Sequence, residues 1–175
     1  MDPLMHAICH NGCTAHLSCD DAAAFLSKQP EQSIDLMITS PPYCIGKEYD
    51  RSTLTTHFER EIGDVLEALF PRLKEGASMC WQVGYHIDSG VITPLDYLVM
   101  KAVSDFPELK LRNRIIWTFG HGMHAQRRFS GRHETVLWFS KNEPRCLLAS
   151  ICASKFDADL TAIRSRPATS SKVKA

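Results

Sequence analysis

The sequence predicts an α/β fold, a sheet with helices between its strands and an antiparallel hairpin at one edge. Three observations carry this. Short apolar runs of strand length alternate with amphipathic segments of helix length between residues 20 and 105. The first clear strand run is cut off by a double proline, Pro41-Pro42. The last two strand runs, 114–119 and 135–139, follow one another with no helix between them, so they are expected to pair antiparallel at the sheet's edge.

Taken in order, residues 20–28 read as a short helix, with Asp20 or Asp21 as N-cap ahead of an alanine run. Ile34–Thr39 is an apolar strand that stops where Ser40-Pro41-Pro42 removes ladder donors and forces Ser40 out of the helical region. Residues 55–74 place Phe58, Ile62, Val65, Leu66, Leu69 and Leu73 on one helical face, with Gly76 as the stop. A second buried strand is expected over 77–83. A helix over 93–105 has Thr93 as cap and Pro94 in its first turn. An additional strand is expected to run through residues 9–19. Trp81, Trp117 and Trp138 lie within strand runs and read as core.

Composition narrows the function classes. A chain of 175 residues, 44% hydrophobic and 23% charged, holds one core or part of a larger one and is neither fibrous nor wholly disordered. Twenty basic residues balance twenty acidic ones, which excludes a generally basic nucleic-acid coat but not a local patch. No apolar run reaches the ~18 residues of a membrane span. The start, Met1-Asp2-Pro3-Leu4-Met5-His6, lacks the basic and apolar regions of a secretory signal. A cytoplasmic protein with no membrane partner is expected. Its seven cysteines then read as free thiols. Cys9, His10, Cys13, His16 and Cys19 do not have the spacing of a standard zinc knuckle, so no metal site is assigned. Residues 34–140 hold all three tryptophans, all four tyrosines and most of the β-branched apolar runs, whereas 142–175, after the main body of residues 1–141, hold one aromatic, Phe156, end in small polar residues and read as a divergent, flexible tail.

The sharpest chemical feature is Ser40-Pro41-Pro42-Tyr43 at the carboxyl end of a strand, where open α/β sheets bind ligands. The proline pair fixes the direction of backbone carbonyls, with a hydroxyl before it and an aromatic ring after it. Such a tetrapeptide alone also occurs as a plain surface turn; its place after a buried strand argues against that.

With these residues the sequence resembles the DNA amino-methyltransferases, which methylate cytosine N4 or adenine N6 using S-adenosylmethionine. Ser40, Pro41, Pro42 and Tyr43 match that family's catalytic loop, and Cys44-Ile45-Gly46-Lys47-Glu48-Tyr49 resembles its continuation. Cys19-Asp20-Asp21 resembles the family's Gly-Asp turn, with Asp20 at the cofactor-contacting position. Residues 127–141 resemble its late strand region, so the likeness runs from about residue 8 to residue 141 in the expected order. The resemblance implies a partial Rossmann-like S-adenosylmethionine-dependent methyltransferase sheet of the circularly permuted branch. It implies catalysis by Ser40, Pro41, Pro42 and Tyr43, and cofactor binding by Asp20, Ser40 and Pro41. The implied partner is double-stranded DNA with its target base flipped from the stack.

Residues 101–145 hold nine basic against four acidic side chains, net +5. Arg127, Arg128 and Arg132 within it, with Lys47 in the continuation of the Ser-Pro-Pro-Tyr loop, are the expected phosphate contacts. Within the family it resembles, serine at position 40 leans toward cytosine N4 over adenine N6. Methylation at cytosine carbon 5 needs a cysteine after a proline, and no Pro-Cys pair occurs. The permuted branch ends in a glycine-rich F-x-G-x-G cofactor turn that has no match after Lys141; Phe119-Gly120-His121-Gly122 has the wrong spacing and lies between two strands. The expectation is a truncated copy, or one half of an enzyme whose second chain carries the cofactor half. Two alternatives stand beside it: methylation of RNA or a protein amide by a similar loop, and a non-catalytic nucleic-acid-binding remnant.

Overall fold

A computed structural model of the chain describes residues 6–10, 13–42, 55–88, 90–120, 129 and 131–143. In chain order the elements are β1 (His6–His10), β2 (Cys13–Leu17), α1 (Ala22–Ser27), β3 (Ile34–Thr39), α2 (Thr55–Leu69), β4 (Leu73–Val83), β5 (Tyr85–Asp88), β6 (Val91–Pro94), α3 (Leu95–Val103), β7 (Leu109–Thr118) and β8 (His133–Lys141). Backbone packing separates Met1–Pro144 from Arg145–Ala175, and the second unit lies outside the described residues. Among the described residues, no helix is long and apolar enough to cross a membrane.

The central sheet has the order β3-β4-β8-β7. β3 pairs parallel with β4, while β8 runs antiparallel to both β4 and β7. The expected edge hairpin is therefore present, with β7 outermost. The carboxyl ends of β3, β4 and β7 and the start of β8 share one end of the sheet, the end at which Ser40 follows β3.

Sequence explains most boundaries. Asp21 caps α1: the Ala24 N–H donates to Asp21 Oδ1 at 3.0 Å, satisfying an end-of-helix donor. The apolar stripe of α2 (Phe58, Ile62, Leu66, Leu69) is at most 1% exposed. Each such burial contributes roughly 1.5–3 kcal/mol. These side chains meet Met79, Trp81, Leu137, Phe139 and the buried face of α3 in a single core.

Five expectations need correction. The helix expected over 55–74 ends at Leu69, because Pro71 cannot donate the next bond and imposes a 3-10 turn, Phe70–Arg72. Gly76 is not its stop; it lies inside the longer β4 with φ +73°, where the register against β3 shifts between Ile34 and Leu36. Thr93 does not cap α3. It pairs with His86 in the β5–β6 hairpin, an element the sequence reading did not resolve, and Pro94 is the N-cap without a side-chain bond. The strand expected through 9–19 is two strands of a hairpin, separated by Asn11-Gly12, a pair suited to tight turns. Of the three tryptophans, only Trp81 is fully buried; Trp117 is 57% exposed on the edge strand and Trp138 is half-buried.

Candidate active site

Because β3 is parallel to β4 and ends at Thr39, immediately before Ser40-Pro41-Pro42, the chain leaves the sheet at its carboxyl rim, the place where open α/β sheets bind ligands. Thr39 and Ser40-Pro41-Pro42 form one wall of a cavity of about 420 Å³. Its other walls come from the first turns of α1 (Asp21, Ala22, Ala23), from α2 (Phe58, Glu61, Ile62, Val65) and from Met37 and Trp81 on the sheet. The volume falls within the ~300–1,000 Å³ of small-molecule clefts. Ser40 is exposed at the rim and Pro41 half-buried beside it.

The cavity's electrostatics have one sign. Asp21, Glu61 and Asp64 stand among its lining residues, with no lysine or arginine there among the described residues. The floor is apolar, and Trp81 is 2% exposed with its indole Nε1 making no hydrogen bond. The chamber therefore suits a ligand with an apolar body and positive charge near the mouth.

Ser40, Pro41 and Pro42 are thus brought together on a cavity. Asp20 is one residue away and faces elsewhere: Lys28 Nζ donates to its Oδ2 at 2.5 Å, and the Asp21 N–H donates to its Oδ1 at 2.9 Å. The Lys28 hydrogen bond holds the Asp20 carboxyl below its ordinary range. It is Asp21 that lines the cavity. Arg132 is exposed at the same end of the sheet, its carbonyl accepting the Phe119 N–H at 3.0 Å just before β8 begins. Tyr43, Lys47, Arg127 and Arg128 lie outside the described residues.

Sequence reasoning missed Glu61, Asp64 and Trp81 as lining residues. Glu61 follows Phe58 by three and precedes Val65 by four, so its place at the margin of the α2 apolar stripe was available. It also missed a second cavity of about 340 Å³ at this end of the sheet, between Gly84-Tyr85, Asp96 on α3, Arg114 on β7 and Gly131-His133. There Arg114 holds the buried Asp96 through Nε at 2.9 Å and Nη2 at 2.5 Å. A Cβ on Gly131 would sit 1.8 Å from Tyr85 Oη, so the tyrosine ring would have to shift to admit one.

Comparison with known proteins places these features. Residues 34–175 match the family described as DNA methylase, of the N6/N4 methyltransferase type. The chain is 40% identical over 126 residues to the type II methyltransferase M.BglII of Bacillus subtilis, an alignment that covers 69% of this chain and 34% of that protein. A Thermus thermophilus protein assigned as a DNA modification methylase, solved in complex with S-adenosyl-L-methionine, superposes with a TM-score of 0.58 at 25% identity, covering 71% of this chain and 53% of that one. The cytosine-N4-specific PvuII DNA methyltransferase shares the fold with a TM-score of 0.65 at 19% identity, covering 88% and 64%. The chain spans about a third of the length of the Bacillus relative.

Proposed function

The chain belongs to the DNA methylase family of the N6/N4 type, and from that premise we propose that it supplies the amino-activating half of an enzyme that transfers a methyl group from S-adenosylmethionine to an exocyclic amino group of a DNA base, cytosine N4 in preference to adenine N6. The observation that carries the reading is the Ser40-Pro41-Pro42 turn on the wall of an acidic, apolar-floored cavity at the end of a parallel strand. In this reading residues 1–141 are the catalytic half of a cytoplasmic enzyme and 142–175 a divergent tail. The family's glycine-rich cofactor turn has no match among residues 1–175, so the test below supplies it separately.

The cavity fits the cofactor on its donor set. Carboxylates at Asp21, Glu61 and Asp64 complement a cation, and Met37, Phe58 and Ile62 accept an apolar body. Bound S-adenosylmethionine supplies an electrophilic sulfonium methyl group. The residues of this chain deal with the acceptor. An exocyclic amino nitrogen is a weak nucleophile because its lone pair is delocalised into the ring. Donating its hydrogens to the Ser40 hydroxyl oxygen and the Pro41 carbonyl favours a more tetrahedral nitrogen whose lone pair points outward. Pro42 keeps that carbonyl aimed, so no reorganisation is needed when charge develops. Tyr43 stacks on the flipped base, contributing on the order of 1–3 kcal/mol against the few that unstacking costs. Lys47, Arg127, Arg128 and Arg132 hold phosphates, and Asp20 contacts the cofactor after leaving Lys28.

The test is methyl transfer to mixed-sequence duplex DNA by the chain together with polypeptide carrying the glycine-rich turn, followed by nucleoside chromatography. Label is expected in N4-methylcytosine, and Tyr43→Ala is expected to lower the rate about 100-fold with folding intact. Label confined to N6-methyladenine overturns the cytosine assignment. No transfer to either base overturns the reading.

A further inference from the structure

We propose that Arg114, held by Asp96, is the residue that selects the base: its guanidinium, in the second cavity, donates to N3 and the O2 carbonyl of a cytosine whose amino group lies at the Ser40-Pro41 turn. The inference rests on the proposed function and names what makes that reaction prefer cytosine.

Strand register puts Arg114 within reach. Thr39 pairs with Trp81, Trp81 with Leu137 and Leu137 with Arg114, so the last residue of β3 and Arg114 stand in one row and on one face of the sheet. Three strand spacings separate them, about 14 Å. An extended arginine and a pyrimidine ring hydrogen-bonded at both ends fill such a gap. Thr135 and His133 continue the same face of β8 toward the end of the sheet at which Ser40 follows β3. With Gly84, just past the end of β4, they line the cavity of about 340 Å³ that Arg114 and Asp96 share.

The lining describes the ligand. Asp96 is 5% exposed; its Oδ2 accepts from Arg114 Nε and Nη2, and its Oδ1 accepts the Tyr97 N–H at 3.0 Å. These bonds fix the plane of the guanidinium. They engage two of its five N–H donors, and the Arg114 side chain, 50% exposed, carries the other three. The carboxylate also offsets the charge. An entering phosphate would meet Asp96 at close range, whereas a neutral pair of acceptors would not. Tyr85 and Phe129 line the same cavity, and Tyr85 occupies the space that a Cβ on Gly131 would take. Rings that can stack, beside donors held in one plane, suit a planar heterocycle with acceptors along one edge.

Cytosine and adenine differ on that edge. Each presents an amino group with a ring acceptor beside it, N3 or N1. Next comes a carbonyl oxygen in cytosine and a C–H in adenine. A guanidinium fork therefore makes one bond more to cytosine, and adenine leaves a donor unpaired.

The experiment titrates the full chain, labelled with nitrogen-15, with cytosine, adenine and 4-aminopyrimidine, which keeps the amino group and N3 but lacks O2. Cytosine is expected to shift the Arg114 Nε–H resonance and to bind about tenfold or more tighter than the other two. Arg114→Lys keeps the charge without the fork and is expected to bind all three alike. Asp96→Asn is expected to lose the preference and to let inorganic phosphate compete, which it does not do in the unaltered chain. Urea melting reports that each variant folds, and the comparison of bases in the unaltered chain needs no variant. Equal affinity for cytosine and 4-aminopyrimidine overturns the inference, as do absence of binding, displacement of cytosine by phosphate from the unaltered chain, and an Arg114→Lys chain that keeps its preference. A cytosine preference without methyl transfer overturns the proposed function and leaves the role of Arg114 standing. Transfer by Arg114→Lys with cytosine selectivity intact does the reverse.

Discussion

The two faces of the central sheet are built from the same strands, residue by residue in alternation, yet the face beneath α2 and α3 is buried along β4 and β8 while Ile38, Ile115 and Trp117 on the other are exposed. Met79 and Cys80 are consecutive in β4; Met79 is fully buried and Cys80 is not. Leu137 and Val136 repeat the contrast in β8. β-Propensity and hydrophobicity alone do not separate the members of these pairs; the amphipathic stripes of α2 and α3 do, because they lie against one surface only. Strand patterning makes a sheet. What covers each face is decided by sequence elsewhere.

Removing core side chains tests this contrast most directly. Leu137→Ala leaves a hole beneath α2 and α3 and is expected to cost about 2–5 kcal/mol in urea unfolding. Ile38→Ala, on the open face of the same sheet, is expected to stay within about 0.5 kcal/mol in the free chain. Equal losses at the two positions would mean that the open face is covered in the chain alone, and the comparison would break.

The same asymmetry explains what could be read from the sequence. α2 was legible because Phe58, Ile62, Leu66 and Leu69 repeat at helical spacing, and β3 because six residues run unbroken into the Ser-Pro-Pro turn. The antiparallel pairing of the last two strands followed from the missing helix. Trp117 was misread because membership of a strand does not say on which face a side chain stands, or whether that face is covered. The β5–β6 hairpin is short, and its turn signal, Asp88-Ser89-Gly90, lay beside an apolar run that reads equally as a helix start. At the site, the proline turn was visible as a motif. The carboxylates of Glu61 and Asp64 were not, because only tertiary packing brings α2 against the end of β3.

A second prediction concerns a charge under the sealed face. Lys141 ends β8 with its side chain 10% exposed, donating to the carbonyls of Phe70 at 3.3 Å and Leu73 at 3.1 Å, and lying 4.5 Å from the Phe70 ring centroid. It thereby adds a charge-assisted donor to carbonyls at the 3-10 turn and at the start of β4. Lys141→Met keeps the aliphatic stem and removes the charged donor from both carbonyls, an expected loss of about 1–3 kcal/mol by thermal or urea melting. Lys110→Met, at the same end of the sheet but exposed, is expected to change little. If the two variants melt alike, buried satisfaction is not what distinguishes these cations.

The smallest effect belongs to α1, at the margin of the sealed face, where Asp20 is held by Lys28. That contact lowers the Asp20 carboxyl below its ordinary 3.8. A lowered carboxylate stabilises the fold at pH values above its unfolded midpoint, and the contribution is lost as pH falls through the folded midpoint. Lys28→Met should therefore raise the Asp20 midpoint toward 3.8 in a carbon-detected NMR titration. Near neutral pH the variant should melt almost with the wild type, because an exposed pair contributes little. The small difference that remains should close as the solution is acidified below the carboxylate range. A midpoint unmoved in the variant would mean that the Asp21 N–H, not the lysine, sets the carboxyl's position, and Asp20 would then need no release from Lys28 before meeting a ligand at the cavity mouth.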